Sequence, residues 1–385
     1  MDGDPAERQK SPPMKYYCDG GSTLAYRWRK PWRSIAVIAG VVGVLWWQPW
    51  RHPSPVRLKS TRPSTEIGHT TPSYALLKGS ARVPFSGAIY IADEAGNRIL
   101  KVNAKKQILW VAHVPAPDDV NPTPGGPIIV NSDAQQEVYA VSPKTGKIVW
   151  RYGRPGVHGA LPGYLYIPED SYGMPHHQVM ITDPGNERVI IVNRTTQHIL
   201  WQYGHTGVEG IQPGYLYWTN NAVPLSNGTT LITDGAPPGL SQRVLDVNPA
   251  GHIVWQIKLP AAIHYPSDAM PVGPGLYALA DYHTPAGLYV VNQKGRIVWS
   301  YHVTSGPGEL RHASSINRLP NGNFLVSDDH NNRVVVIDPV THRIVWQYGT
   351  TGVPGSGPDH LMGNTDAKAV GQPLPPFVPW EGYPS

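Results

Sequence analysis

A single cysteine, Cys18, stands in 385 residues, upstream of every repeat in the chain. The repeats therefore have no disulfide framework, no thiolate metal site and no cysteine nucleophile, and their stability must come from core packing. Charge is also sparse, at 15% of residues, and the net +5 is unevenly spread. Residues 1–62 hold 11 Lys/Arg against 4 Asp/Glu, a net +7, which leaves −2 for everything after. The repeats are not basic and show no stripe of cations interleaved with aromatics, so nucleic acid is not an expected partner. Two motifs are missing as well. No Asp-x-Asp-x-Asp-Gly loop is present, and no lysine accompanies the glycine-rich stretches at a phosphate-binding position.

What is present is a repeat. Six short β-branched or aliphatic runs end in Trp110, Trp150, Trp201, Trp255, Trp299 and Trp346, each with an aspartate 17 to 21 residues upstream: Asp93, Asp133, Asp183, Asp234, Asp281 and Asp328. The tryptophans are 40 to 54 residues apart, the length of one four-stranded propeller blade. Glycine (40) and proline (41) fall mostly at turn positions between β-rich runs, as many short strands require. The sixth repeat shows the unit most plainly. It reads as strands over 312–319, 324–328, 333–338 and 343–348, with Asn321-Gly322 as the first hairpin turn.

Counting back 13 or 14 residues from the aspartates finds a first strand for five blades, through Asp119, Asp170, Asn221, Asp268 and Ser315. The first repeat lacks one, yet an extra strand containing Asp366 follows the sixth. The expected architecture is all-β: a six-bladed propeller of four-stranded antiparallel blades over residues 85–371, its ring closed by the C-terminal strand in the first blade. Closure of this kind removes open sheet edges.

The N-terminal region explains the basic excess. Residues 1–33 form a basic tail, and 34–50 read as a transmembrane helix, with Ile35 to Trp47 uncharged and tryptophans at both margins. Basic residues on the N-terminal side predict a signal anchor with that end cytoplasmic and the propeller outside, in the periplasm or at the cell surface. Residues 51–84 read as a Pro/Ser/Thr-rich linker and 372–385 as a Pro-rich tail.

Glu137-Val-Tyr-Ala-Val-Ser-Pro-Lys-Thr-Gly-Lys-Ile-Val-Trp150 resembles the repeat of quinoprotein-type, PQQ-like propellers. Asp328-Asp-His-Asn-Asn-Arg-Val-Val-Val-Ile-Asp338 is similar to an NHL repeat. The resemblance implies the fold over about three quarters of the chain. Methanol-type quinoprotein dehydrogenases are larger propellers, and many hold their cofactor under a vicinal disulfide beside calcium. With no cysteine and two blades fewer, this domain is not expected to bind a quinone.

Site candidates lie on the face where first strands start and second strands end. The recurring aspartates read as architecture, turn caps with ion pairs to Arg98, Arg188 and Arg333. The three Gly-x2-Gly-x2-Gly-x2-Pro stretches starting at Gly153, Gly204 and Gly349 read as crossovers between blades; an anion cradle of backbone amides is the functional alternative. Asp119, Asp170, Asp268 and Asp366, with Asn221 and Ser315, supply oxygen ligands of the type that suits Ca²⁺, against a reading in which each bonds backbone amides. Tyr166, Tyr217, His264, Arg311 and Met362 occupy one repeat position and differ there, so they are the ligand-binding candidates. His264, Arg311 and His312 are similar in type to the histidine and arginines of arylsulfotransferase-like propellers, where histidine accepts a sulfuryl group and arginine stabilises the anion. The expected function is a membrane-anchored module that binds an envelope protein, glycan or small molecule through this face without catalysis. The alternatives are an arylsulfotransferase-like or Ca²⁺-dependent hydrolytic enzyme, or a purely structural scaffold.

Overall fold

The computed structural model describes residues 83–235, 242–363 and 365–369. The expected tail 1–33, membrane segment 34–50, nearly all of the linker and the tail 372–385 lie outside them. Among the described residues no helix is long and apolar enough to cross a membrane.

Among the described residues twenty-four strands form six four-stranded antiparallel sheets, one per blade. Blade six has the strands Ala313–Arg318, Phe324–Asp328, Arg333–Asp338 and Arg343–Tyr348, in that order across the sheet. Blade one takes its inner strand from the other end of the chain: Thr365–Ala369 pairs antiparallel with Ala88–Asp93, with Asp366 opposite Ala92. Each inner strand touches the next, and Thr365–Ala369 touches both Ala313–Arg318 of blade six and Asp119–Pro122 of blade two.

The core lies between blades. Six apolar clusters occur, each drawn mainly from two consecutive blades, and the one joining blades six and one, with Leu325, Val334, Ile91 and Leu100, is built like the rest. Central strands buried on both faces suit uninterrupted runs such as Arg333–Asp338, whose six residues are all buried.

The tryptophans owe their position to a bulge. In every blade the pairing of third and fourth strands slips by one residue immediately before the tryptophan. In three blades the bulged residue turns to solvent, Leu109 (54% exposed), Val149 (61%) and Val254 (54%), while Val298 and Val345 pack partly against the core; the indole turns toward the next blade. There the ring nitrogen donates to a turn carbonyl: Trp201 to Pro249 at 3.0 Å, Trp255 to Gln293 at 3.2 Å, Trp299 to Pro339 at 2.9 Å and Trp346 to Ala104 at 2.9 Å. Each such bond contributes about 1 kcal/mol. Trp150 makes no such bond; its buried ring nitrogen has no partner.

Candidate functional site

The second strand of most blades ends in a buried aspartate that organises the crossover face. Its Oδ1 accepts the backbone N–H of the residue 17 positions upstream: Tyr166 to Asp183 at 2.7 Å, Tyr217 to Asp234 at 2.8 Å, His264 to Asp281 at 3.1 Å and Arg311 to Asp328 at 2.7 Å. In blade one the same bond joins Met362 to Asp93 at 2.8 Å across the length of the chain. All five ligand-binding candidates thus hang by their backbone from the repeat aspartate, which leaves their side chains free to differ.

The other carboxylate oxygen is held by arginine. Asp93–Arg98, Asp183–Arg188 and Asp328–Arg333 meet at 2.7 Å and Asp234–Arg243 at 2.8 Å. Arg333 also donates to the carbonyls of Pro307 and Glu309, so the pair fastens the crossover to the blade. Burial pushes the carboxyls of Asp183, Asp234 and Asp328 up, and the arginines oppose it. Two blades depart. Asp281 meets His264 Nδ1 at 3.2 Å instead of an arginine. Asp133 is half-buried and accepts from Ala134 N–H of its own turn; it lies one residue beyond the register position that aspartate holds opposite arginine in four other blades, which here is Ser132 opposite Glu137, and Glu137 pairs with Arg151 at 3.2 Å.

The crossovers spend their own amides. Gly156, Gly207 and Gly352 donate to Gln135, Asn186 and Asn331 carbonyls, and Gly159, Gly210 and Gly355 donate to Leu165, Leu216 and Leu361 carbonyls. No cradle of free glycine amides is left for an anion, which removes that alternative. The leading glycine is needed for close approach: at Gly153, Gly204 and Gly349 a Cβ would sit 2.2 Å from a carbonyl oxygen of the preceding turn.

The inner-strand oxygens meet around the axis. Asp119 and Asp170 both accept from Asn121 Nδ2 at 2.8 Å, and Asp170 also accepts from Asn221 Nδ2 at 2.6 Å. Backbone amides bind the others, Val120 to Asp366 at 3.2 Å and Ile316 to Asp268 at 3.0 Å, while Ser315 pairs with Ser327 at 2.8 Å. The sequence reading missed Lys368. Its ammonium, buried and 3.8 Å from Asp366 Oδ1, faces all four carboxylates, whose attraction outweighs burial and raises its pKa. Burial and the neighbouring Asp170 push Asp119 up to about 8, and burial raises Asp268 to about 6 against the pull of Lys368. Asp366, two residues before Lys368 and so on the same strand face, was the available signal. Among the described residues no three His, Cys, Asp or Glu side chains are disposed to share one metal ion. With an ammonium among them, Asp119, Asp170, Asp268 and Asp366 fit a lysine-neutralised carboxylate cluster better than a Ca²⁺ cage.

Outside this cluster the mouth has two unlike sides. Blades five and six supply imidazoles and phenols. His264 stacks on His283 (centroids 4.8 Å), His312 on His330 (3.7 Å), and Tyr282 sets its edge against His312 at 4.7 Å. Thr284 Oγ1 lies 2.9 Å from His312 Nδ1. Burial, then His330 and His283, lower His312 to about 4, and burial lowers His330, so both rings are neutral at pH 7. Arg311 points elsewhere, to Glu309 at 3.1 Å, so His312 and Arg311 are neighbours in sequence with separate partners. The other side, from blades one, two, three and six, carries Glu94, Asp118, Asp133, Glu169 and Asp329. Burial and mutual repulsion raise Asp118 well above the ordinary carboxylate range and Glu169 to about 8. None of Asp118, Asp133 and Glu169 has an ion pair among the described residues.

Two stretches, residues 43–203 and 185–371, match the model of the PQQ-like family described as outer membrane protein assembly factor BamB. No curated protein matches the sequence. Among solved structures, a protein of unknown function from Bacteroides caccae is similar with a TM-score of 0.50 and 16% identity over 68% of this chain and 92% of its own. A chain of a nidogen/laminin complex (TM-score 0.49, 13% identity, 68% of this chain and 92% of that one) and the hydrazine synthase of Kuenenia stuttgartiensis (0.46, 12%, 71% and 80%) are also similar. At such identities the likeness concerns the fold alone.

Proposed function

The chain belongs to the PQQ-like family described as outer membrane protein assembly factor BamB, and from that premise we propose that its propeller is a binding module working through the crossover face, anchored by residues 34–50 on the extracytoplasmic side of a membrane. One observation carries the reading. Five blades present Tyr166, Tyr217, His264, Arg311 and Met362 from one backbone position, tied by one hydrogen bond to a recurring aspartate. A constant scaffold with differing side chains is how repeat folds read a partner. The family's description as an assembly factor favours an envelope protein over a glycan or small molecule as that partner. The strand Thr365–Ala369 acts as the clasp that closes the ring, so that the face is one continuous surface.

Photo-crosslinkers placed at Tyr217 and Met362 on this face, and at His198 and His252 among the opposite hairpins, test the reading in intact cells. A discrete adduct is expected only from the first pair; adducts only from the second would sink it. The lone cysteine reports topology. An impermeant maleimide should miss Cys18 in intact cells and label Ser305→Cys in the propeller, and the reverse pattern would overturn the orientation.

A further inference from the structure

We propose that one side of the crossover face, over blades two to four, is a self-association surface on which a second copy of this chain docks about a two-fold axis. This rests on the reading of that face as a binding surface and names one occupant of it.

Exposed aliphatic side chains are the first ground. On the crossover from blade two to blade three Val157 is 51% exposed and Leu161 70%, and on the next crossover Val208 is 51% and Ile211 48%. The crossovers into blades five and six bury theirs instead, Leu259 and Ile263 in one and Leu310 in the other. A single exposed aliphatic residue is ordinary, but four on two neighbouring turns make a patch of the kind that marks a contact site. The turns are braced from within: Gly156 and Val157 donate to the Gln135 and Arg154 carbonyls, and Gly207 and Val208 to those of Asn186 and His205. Docking on such turns costs little ordering.

Charge complementarity is the second ground. Arg154 and Glu209 are exposed, and neither has an ion pair among the described residues. The Arg154 guanidinium lies 4.5 Å over the Tyr164 ring, which holds it beside its own turn. No Asp or Glu stands between Gly153 and Gly163, and no Lys or Arg between Gly204 and Gly214. One turn is therefore cationic and its neighbour anionic, around the same apolar centre.

Repetition turns this complementarity inward. The two turns are copies of one motif, with Val157 and Val208 each four residues after the leading glycine. A two-fold axis passing between them sets the first turn of one copy against the second turn of the other. Val157 then meets Val208 and Arg154 reaches Glu209, and each contact is made twice. The patch is complementary to itself, which selects a second copy over an unrelated surface. A bilayer would instead have to draw the Glu209 carboxylate beside Val208 out of water. Contact on this side leaves the imidazoles of blades five and six open.

The test is sedimentation of the full-length protein in a non-ionic detergent over a concentration series. A reversible monomer–dimer equilibrium is expected. Arg154→Glu and Glu209→Arg should each weaken the dimer at least tenfold, and the combined variant Arg154→Glu/Glu209→Arg should restore it, since like charges across a contact repel and the exchanged pair attracts again. Val208→Asp should abolish it, while Lys294→Glu, in an exposed hairpin of the opposite face, should leave it unchanged. A chain that stays monomeric throughout would overturn the proposal. So would a dimer indifferent to both charge reversals, as one held by the anchor would be, or a combined variant as weak as either single one. Should a reversal fail to melt like the parent, disulfide capture replaces it. Chains carrying Val157→Cys and Val208→Cys, each in a Cys18→Ser background, should form a linked dimer when mixed that neither forms alone; no linked dimer from the mixture counts against the proposal. Adducts of Tyr217 or Met362 with another protein in a chain that stays monomeric overturn this inference alone, whereas a charge-dependent dimer without such adducts overturns the partner reading alone.

Discussion

Asp328 and Glu169 sit on the same face of the propeller, and burial works against the charge of both. Asp328 has Arg333 Nε at 2.7 Å, the Arg311 N–H at 2.7 Å and Asn331 Nδ2 at 2.9 Å, so its charge is matched bond for bond. Glu169 faces Asp133, Asp119, Glu94 and Asp329, and its pKa rises to about 8. One carboxylate is paired within the fold; the other has like charges around it and keeps its proton up to about pH 8. The blade-two aspartate shows how little separates the two classes. Where Ser132 and Glu137 face each other in place of aspartate and arginine, Asp133 lies one residue further on and has no ion pair among the described residues.

The sharpest way to break this contrast is to remove the arginine. Arg333→Met leaves Asp328 buried and unpaired, and a loss of about 3–5 kcal/mol is expected in urea denaturation; a loss below about 1 kcal/mol would show that Asp328 is no more fastened than Glu169. Backbone constraint comes next. Gly349→Ala, at φ +97° with a Cβ 2.2 Å from Asn332 O, should cost about 3 kcal/mol, and Gly352→Ala, at φ +69° in open space, about 1 kcal/mol, by the same measurement.

Smaller still is the blade staple. Trp346→Phe removes the bond to Ala104 O and should cost about 1 kcal/mol more than Trp150→Phe, whose ring nitrogen has no partner to lose. Equal costs would assign the tryptophan's role to packing alone.

The smallest effect has the opposite sign. Between the ordinary carboxylate range and about 8, the folded chain keeps a proton on Glu169 that the unfolded chain releases. Stability is therefore highest at the acid end of that window, falls as pH rises through it and levels off above, and Asp119 acts in the same direction. Glu169→Gln should flatten this slope and raise the melting temperature at pH 8.5 by about 2 °C. A lower melting temperature there would show that Glu169 already has a partner.

Much of the scaffold was legible because its signals are local. Alternation and turn residues mark strands, and the spacing of Asp328 to Trp346 recurs because each blade repeats one set of contacts. Tyr166, Tyr217, His264, Arg311 and Met362 could be found as the positions where repeats disagree. That their backbones share one bond to the repeat aspartate could not be read, since the bond depends on the crossover folding back over its blade. The expected Ca²⁺ ligands Asp119, Asp170, Asp268 and Asp366 left out Lys368, although its spacing from Asp366 put it on the same strand face. Asp118 and Glu169 were passed over beside Asp119 and Asp170; they precede the strands Asp119–Pro122 and Ser171–Met174, and only the fold brings them near Asp133 and Glu94.

The sequence by itself determined the number of blades, the order of their strands and the residues that recur, because each follows from periodicity within some fifty residues. Only the tertiary structure decided which carboxylates are paired and which repel. Those energies depend on distances between blades, such as the meeting of Val120 with Asp366 across 246 residues of chain, and Coulomb interaction and desolvation follow separation in space rather than separation along the chain.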